Sequence, residues 1–419
     1  MTADSPRATP GPPASAAASV LPASAVPPAV PVPPAVPVPP APWSDGRGVP
    51  AVTELRLSAF RSHRGAVFPV GPVTLFAGAA GSGKSSVLEA YEALARLGGG
   101  AGLGEVFRDP AGCVPERAEP DAQGRRGFRI GCTVEGPAGR VRLDLAVQAE
   151  PELRVVGERL TCDGQTLLTT ALRDPGRSTV QAAWYTAGAA PVTKAPLPDD
   201  VLGTALLPLR VAGKTAGQLR VLAAAEQVVL ALRSVFACDP QPSGMREPVA
   251  VGDARLRRGC DNLAEVLWRT HRQCAKRHAR LAATVRSGCP GPVEALTVEE
   301  LADGRVRALV GRGGPWATPV ERLGDGELRY LALALVLLTG PGVLAVDPAA
   351  EVPAALQALT VLADGFDRCL DGRQTRELVA LAASVCAEGH MRLVGTVTDT
   401  SAAYARGVDG VAVVDLGRD

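Results

Sequence analysis

Gly78-Ala79-Ala80-Gly81-Ser82-Gly83-Lys84-Ser85-Ser86 is the stretch on which the reading of this chain turns. Gly78, Gly83, Lys84 and Ser85 keep the spacing G-x-x-x-x-G-K-S, and chemistry explains that spacing. Glycines let the backbone curl until successive N–H groups converge on a phosphate, a path that residues with a Cβ follow only at a cost. Lys84 brings a point charge to the β- and γ-phosphates, and Ser85 offers a hydroxyl oxygen to a magnesium ion. Val73–Ala77 before the loop is β-prone, and 86–94 after it has helical spacing, so the anion meets the positive end of a helix. Gly78, Gly81, Ser82, Gly83, Lys84, Ser85 and Ser86 are therefore expected to bind a nucleoside triphosphate. The chain otherwise prefers arginine; its lysines are Lys84, Lys194, Lys214 and Lys276, which makes a chance match rare.

The bulk composition narrows the class. A chain of 419 residues has room for a substantial core. Its formal net charge of +1 exerts no global pull toward nucleic acid or anionic lipid. The 9 cysteines are scattered, odd in number and without a C-x-x-C pair, as expected of reduced thiols in a cytoplasmic protein. No basic segment leads into an apolar run at the start, so no signal peptide is expected. The apolar run 331–346 is broken by Gly340-Pro341-Gly342, too short for a membrane span, so no membrane insertion is expected.

Residues 1–48 are rich in Pro, Ala and Val and cannot form a core; a disordered or polyproline-like tail is expected there. The fold is expected over 49–419. Alternation predicts strands over 54–60 and 66–70, and an antiparallel sheet from Gly127 to about Thr186. Helical spacing returns over 219–236. A long helix is predicted over 262–286, with Arg269, Arg272, Lys276 and Arg280 on one stripe that a nucleic-acid backbone can use. His271, Cys274 and His278 share its other face, but no fourth ligand accompanies them, and they are expected to pack rather than to bind a metal.

The last third supplies three more motifs. Leu323-Gly324-Asp325-Gly326-Glu327 is a glycine turn opening the apolar helix that continues through Leu335. Val343-Leu344-Ala345-Val346-Asp347 reads as a strand ending in a carboxylate, which would share a magnesium ion with Ser85. Leu393–Asp399 is a late strand with a polar tip. In that order, these motifs resemble the ABC-type ATPase heads of the SMC-like and RecF-like group, often filed as AAA-type ATP-binding domains. The resemblance spans roughly 50–419, with its motifs at the two ends.

The resemblance implies an α/β P-loop NTPase fold with an antiparallel β subdomain and an inserted helical region. It divides the chain into a Walker A lobe over 49–100, a β-rich and helical insertion over 101–300, and a signature and Walker B lobe over 301–419. It also implies ATP and Mg²⁺ as cofactors. Two heads would close head to tail, so that Leu323, Gly324, Asp325, Gly326 and Glu327 of one reach the γ-phosphate held by the other. A homodimer on ATP binding is thus expected, alongside a protein partner whose identity the sequence does not give.

The chain departs from the family at the hydrolytic half of the site. Gly324 stands where the family has Ser. The family's glutamate directly follows the strand aspartate, whereas Asp347 is followed by Pro348-Ala349-Ala350-Glu351; the family's switch histidine is replaced by Thr398-Asp399-Thr400. Glu351 and Asp399 are the carboxylates available as catalytic stand-ins. Loss of a water-positioning carboxylate removes orders of magnitude of phosphoryl-transfer rate, so weak ATP hydrolysis is expected. Two alternatives stay open: a nucleotide-sensing regulatory or scaffold protein without meaningful hydrolysis, and a DNA-maintenance ATPase using the basic helix 262–286. No heptad array lies between the two ends, so no long coiled-coil arm is expected.

Overall fold

The computed structural model describes residues 48–187, 192–252, 255–346 and 358–417, together with Met1. The Pro/Ala-rich tail read over 1–48 therefore lies almost wholly outside the described residues, as do Asp347, Pro348 and Glu351. The described fold belongs to the unit Arg47–Asp419.

Among the described residues the strands form three sheets. The largest has eight strands and runs antiparallel in the order β2-β1-β4-β5-β6-β7-β8-β9. Its members are β1 (Ala51–Phe60), β2 (His63–Pro69), β4 (Arg126–Gly136), β5 (Gly139–Glu150), β6 (Arg154–Cys162), β7 (Gln165–Ala171), β8 (Thr179–Tyr185) and β9 (Val192–Pro198). Alternation sets its faces. On β5, Val141, Leu143, Leu145 and Val147 are buried, while Arg142 and Asp144 pair on the other side. The antiparallel sheet expected from the sequence is present and extends one strand beyond Thr186.

The second sheet has five parallel strands in the order β10-β15-β16-β3-β17: β3 (Val73–Ala77), β10 (Val235–Cys238), β15 (Leu359–Ala363), β16 (Met391–Thr396) and β17 (Val411–Asp415). β3, β15 and β16 are buried along their whole length, the continuous apolar run expected of a sheet covered on both faces. A smaller antiparallel sheet holds β11 (Val249–Ala250), β12 (Ala295–Glu300), β13 (Arg305–Gly313) and β14 (Trp316–Pro319).

Among the described residues the α-helices are α1 (Lys84–Gly98), α2 (Leu103–Val106), α3 (Gly203–Arg210), α4 (Ala216–Arg233), α5 (Pro242–Met245), α6 (Leu263–Gln273), α7 (Ala275–Gly288), α8 (Asp325–Leu337), α9 (Gly372–Cys386) and α10 (Asp399–Ala405). One core joins the antiparallel sheet to α1 and α4 through Val87, Tyr91, Leu94 and Val228. The other joins the parallel sheet to α8 and α9. From Leu328 to Leu337 every residue of α8 is buried, Arg329 included, and from Leu331 onward the helix is apolar on all sides. No described helix is long and apolar enough to cross a membrane.

Three sequence expectations are corrected. The helix predicted over 219–236 ends at Arg233, because Val235 and Phe236 enter the parallel sheet beside β15. The long helix over 262–286 breaks at Cys274, whose φ of −149° and ψ of 80° leave the helical region. The basic stripe breaks with it: Arg269 is only 9% exposed, while Arg272, Lys276 and Arg280 face solvent. The strand expected over 343–347 is not in the parallel sheet. After Gly340, residues 341–343 turn, and Leu344 makes an isolated bridge to Leu256, with Leu256 N donating to Val343 O and Ala345 N to Leu256 O.

Candidate functional site

Open α/β sheets bind ligands beyond the carboxyl ends of their parallel strands. The register fixes which residues meet there. Ala363 of β15 is opposite Gly395 of β16, and Gly395 is opposite Leu75 of β3. Asp364, Thr396 and the start of the glycine loop are thereby brought to one end of the sheet.

The loop has the backbone that the sequence requires. Gly78, Gly81 and Gly83 have φ of 144°, 81° and 92°, where a Cβ is disfavoured. At Gly78 a Cβ would lie 2.4 Å from Leu416 O, so the loop is seated directly on the chain after β17. At Gly83 a Cβ would lie 2.6 Å from both His63 Nε2 and Ser62 Oγ. His63 Nε2 is 3.0 Å from Gly83 O, and its ring packs edge-on against Phe68. Gly83 directly precedes α1, so the first N–H groups of a 15-residue helix open into the loop. Lys84 Nζ donates to Gly78 O at 2.6 Å and to Ala79 O at 2.9 Å, which folds its charge across the loop.

The acidic partner is Asp364. Its Oδ1 accepts hydrogen bonds from Ser85 Oγ at 3.1 Å and from Thr396 Oγ1 at 2.6 Å. Thr396 Oγ1 in turn accepts from Gly365 N at 2.7 Å. Glu89, one turn beyond Ser85 on α1, is half-buried and ion-paired with Arg61 at 2.5 Å. Burial pushes the Glu89 carboxyl above its ordinary value, the Arg61 charge pulls it back, and the negative charge of Asp364 pushes it up again.

Solved SMC head domains are among the structures to which this chain is similar. A solved Smc head bound to the C-terminal winged-helix domain of ScpA matches at 14% identity and a TM-score of 0.49, over 88% of this chain and 95% of that one. The SMC head domain from Thermotoga maritima matches at 12% identity and a TM-score of 0.41, over 85% and 92%. An Smc head with an extended coiled coil, bound to the C-terminal domain of ScpA from Pyrococcus furiosus, matches at 14% identity and a TM-score of 0.42, over 86% and 95%. No protein-family model matches the chain, and no curated protein matches it.

The signature-like turn opens α8. Gly324 is its N-cap in an extended conformation, and Gly324 N donates to Glu327 Oε2 at 3.2 Å. Arg312 pairs with Glu327 at 3.1 Å; Arg246 holds Asp325 at 2.7 Å and Leu323 O at 2.9 Å. Gly324 and Asp325 face solvent at the positive end of the helix. Among the described residues, no hydrogen bond or ion pair joins Leu323–Glu327 to the loop Gly78–Ser86 of the same chain.

Of the other sequence candidates, Asp399 is the exposed first residue of α10, next to Thr398, whose N and Oγ1 donate to Asp367 Oδ2 at 2.9 Å and 2.5 Å. Asp347 and Glu351 fall outside the described residues. Sequence reasoning missed Asp364, Thr396 and His63. Leu359-Thr360-Val361-Leu362-Ala363-Asp364 is itself an apolar, β-branched run ending in Asp and followed by Gly, the signal that would have found β15.

Proposed function

We propose that this chain is an ATP-binding protein of the ABC type. It holds ATP and Mg²⁺ between Gly78–Ser86 and Asp364, closes as a head-to-tail homodimer over the nucleotide, and turns it over slowly. The observation that carries this reading is the Ser85 hydroxyl set on the Asp364 carboxylate at the head of the glycine loop. The donor set suits the metal: a hydroxyl and a carboxylate are hard oxygen ligands of the kind Mg²⁺ takes alongside phosphate and water. Asp364 replaces Asp347 in this role. Bound there, the metal ion would neutralise phosphate charge and orient the terminal phosphoryl group.

The chain's own residues supply the rest. Loop N–H groups and the start of α1 receive the phosphates, and Lys84 exchanges the loop carbonyls for phosphate oxygens. His63 holds the Gly83 carbonyl and so keeps the loop's last peptide in register. Leu323–Glu327, which presents Gly324 and Asp325 to solvent at the head of α8, meets the nucleotide of a second copy. Isothermal titration with ATP·Mg²⁺, with and without Lys84→Ala, tests binding, and light scattering with and without ATP tests association. A chain that binds no ATP, or stays monomeric with it, contradicts the corresponding step.

A second reading, a nucleotide sensor or scaffold without meaningful turnover, is favoured by Gly365. This residue follows Asp364 where a water-positioning glutamate would stand; its φ is +61°, and a Cβ there would lie 2.8 Å from Arg368 Nε. Steady phosphate release that depends on Asp364 excludes this reading. The use of a basic helix on DNA loses its motive, since the stripe is interrupted at Arg269 and Cys274. A cytoplasmic location fits the cysteines, all free thiols and mostly buried.

A further inference from the structure

Arg329 is the largest fully buried side chain among the described residues, 2% exposed, on the second turn of α8. Its guanidinium donates to Gly365 O at 2.9 Å and to Pro240 O at 2.5 Å, with the Asp239 carboxylate 3.6 Å away. Gly365 is the residue whose N–H holds Thr396, and Thr396 holds Asp364. Gly326, three positions earlier on the same helix face, comes so close to the same loop that a Cβ on it would lie 2.4 Å from Cys369 O. α8 therefore rests on the chain after β15 at two points, a backbone contact at Gly326 and a buried cation at Arg329. A charge buried this deeply is costly unless it is held, and here two carbonyls and a carboxylate hold it.

We propose that Arg329 is a positioning residue that ties the signature turn to the metal-side turn, so that displacement of the first turn of α8 is delivered to Asp364. The proposal rests on the ATP·Mg²⁺ reading above and adds to it a route between two parts of the site that, among the described residues, share no hydrogen bond or ion pair within one chain. It carries a consequence for binding alone: loss of Arg329 releases Gly365 and Thr396, and with them the aim of Asp364, while the phosphate loop stays intact.

The test is the affinity of a non-hydrolysable ATP analogue measured with Mg²⁺ and with EDTA, for wild type, Arg329→Gln and Arg329→Lys. The gain in affinity that Mg²⁺ gives the wild type is expected to shrink by about tenfold in Arg329→Gln. Affinity in EDTA should hold within about twofold, and Arg329→Lys should recover part of the gain through one carbonyl. An unchanged Mg²⁺ gain in folded Arg329→Gln, or a parallel fall of both affinities, overturns the proposal. Should Arg329→Gln fail to fold, Asp239→Asn gives the same readout, because it leaves the arginine but removes its counter-charge; a reduced Mg²⁺ gain supports the coupling and an unchanged one overturns it. A wild type that binds no analogue at all overturns the underlying reading, which distinguishes that failure from failure of Arg329 alone.

Discussion

Ser85 and Asp364 are 279 positions apart in the chain, and Ser85 Oγ donates a hydrogen bond to Asp364 Oδ1 over 3.1 Å. Strand order explains the meeting. β16 lies between β3 and β15, and the three run parallel in register, so the residues leaving β3 and β15 flank Thr396 at the end of β16. A carboxylate, two hydroxyls and the glycine loop are thereby gathered at one end of the sheet, oxygen donors and a helix start of the kind that the proposed nucleotide and its cation would use.

Lys84→Ala should separate binding from folding. Its hydrogen bonds go to the loop carbonyls of Gly78 and Ala79, at the edge of the fold, so its loss should cost no more than about 1 kcal/mol of stability. ATP affinity should fall roughly tenfold or more, since a charge-assisted contact to phosphate goes with it. Thermal melts beside a nucleotide titration check both halves.

Gly83→Ala carries two penalties that can be told apart. Its φ of 92° strains any L-residue by roughly 1–2 kcal/mol, and the added Cβ meets His63 and Ser62 at 2.6 Å. Adding His63→Ala should restore part of the lost stability by relieving one contact but not the backbone strain. Denaturant unfolding of the single and double variants measures the two parts; full recovery would show that the φ of Gly83 is not fixed by the fold.

Part of this architecture is legible in the sequence. Gly78–Ser86 was legible because the loop's chemistry is local: glycine conformations, one lysine and one hydroxyl follow one another in sequence. Period-two alternation on β5 and its neighbours announced the antiparallel sheet for the same reason. The strand that leads to Asp364 was not legible, since 343–347 and 359–364 are both apolar runs that end in Asp. Which one enters the sheet depends on pairing with β16, a tertiary choice that local pattern does not encode. The break at Cys274 was equally hidden, because no glycine or proline marks it.

Gly365→Glu should not install steady turnover. The position is left-handed, with φ of +61°, and the space beside it holds the Arg368 guanidinium, so a glutamate there is strained and aimed away from an ordinary extended path. A phosphate-release assay should give a rate no higher than that of wild type, together with a lowered melting temperature. A large gain in steady turnover would show that this turn accepts a working carboxylate.

His278 should make stability depend on pH near neutrality. Burial holds its imidazole below the ordinary histidine value, and the nearby His271 works the same way, against a hydrogen bond to Leu296 O at 2.8 Å that favours the charged form. The unfolded state therefore binds the proton more readily, and stability is expected to fall as pH drops through the ordinary histidine value toward the depressed one. Melting temperatures from pH 8 to pH 5 should decline in wild type, and the decline should flatten in His278→Gln.

The central claim is that Asp364, not Asp347, completes the cation site with Ser85. ATP affinity measured with Mg²⁺ and with EDTA, in Asp364→Asn and Asp347→Asn side by side, tests it most directly. Asp364→Asn should lose the Mg²⁺-dependent part of the affinity by roughly 10–100-fold, and Asp347→Asn should keep it. An Asp364→Asn protein that binds ATP·Mg²⁺ like wild type, with Asp347→Asn defective, would contradict it.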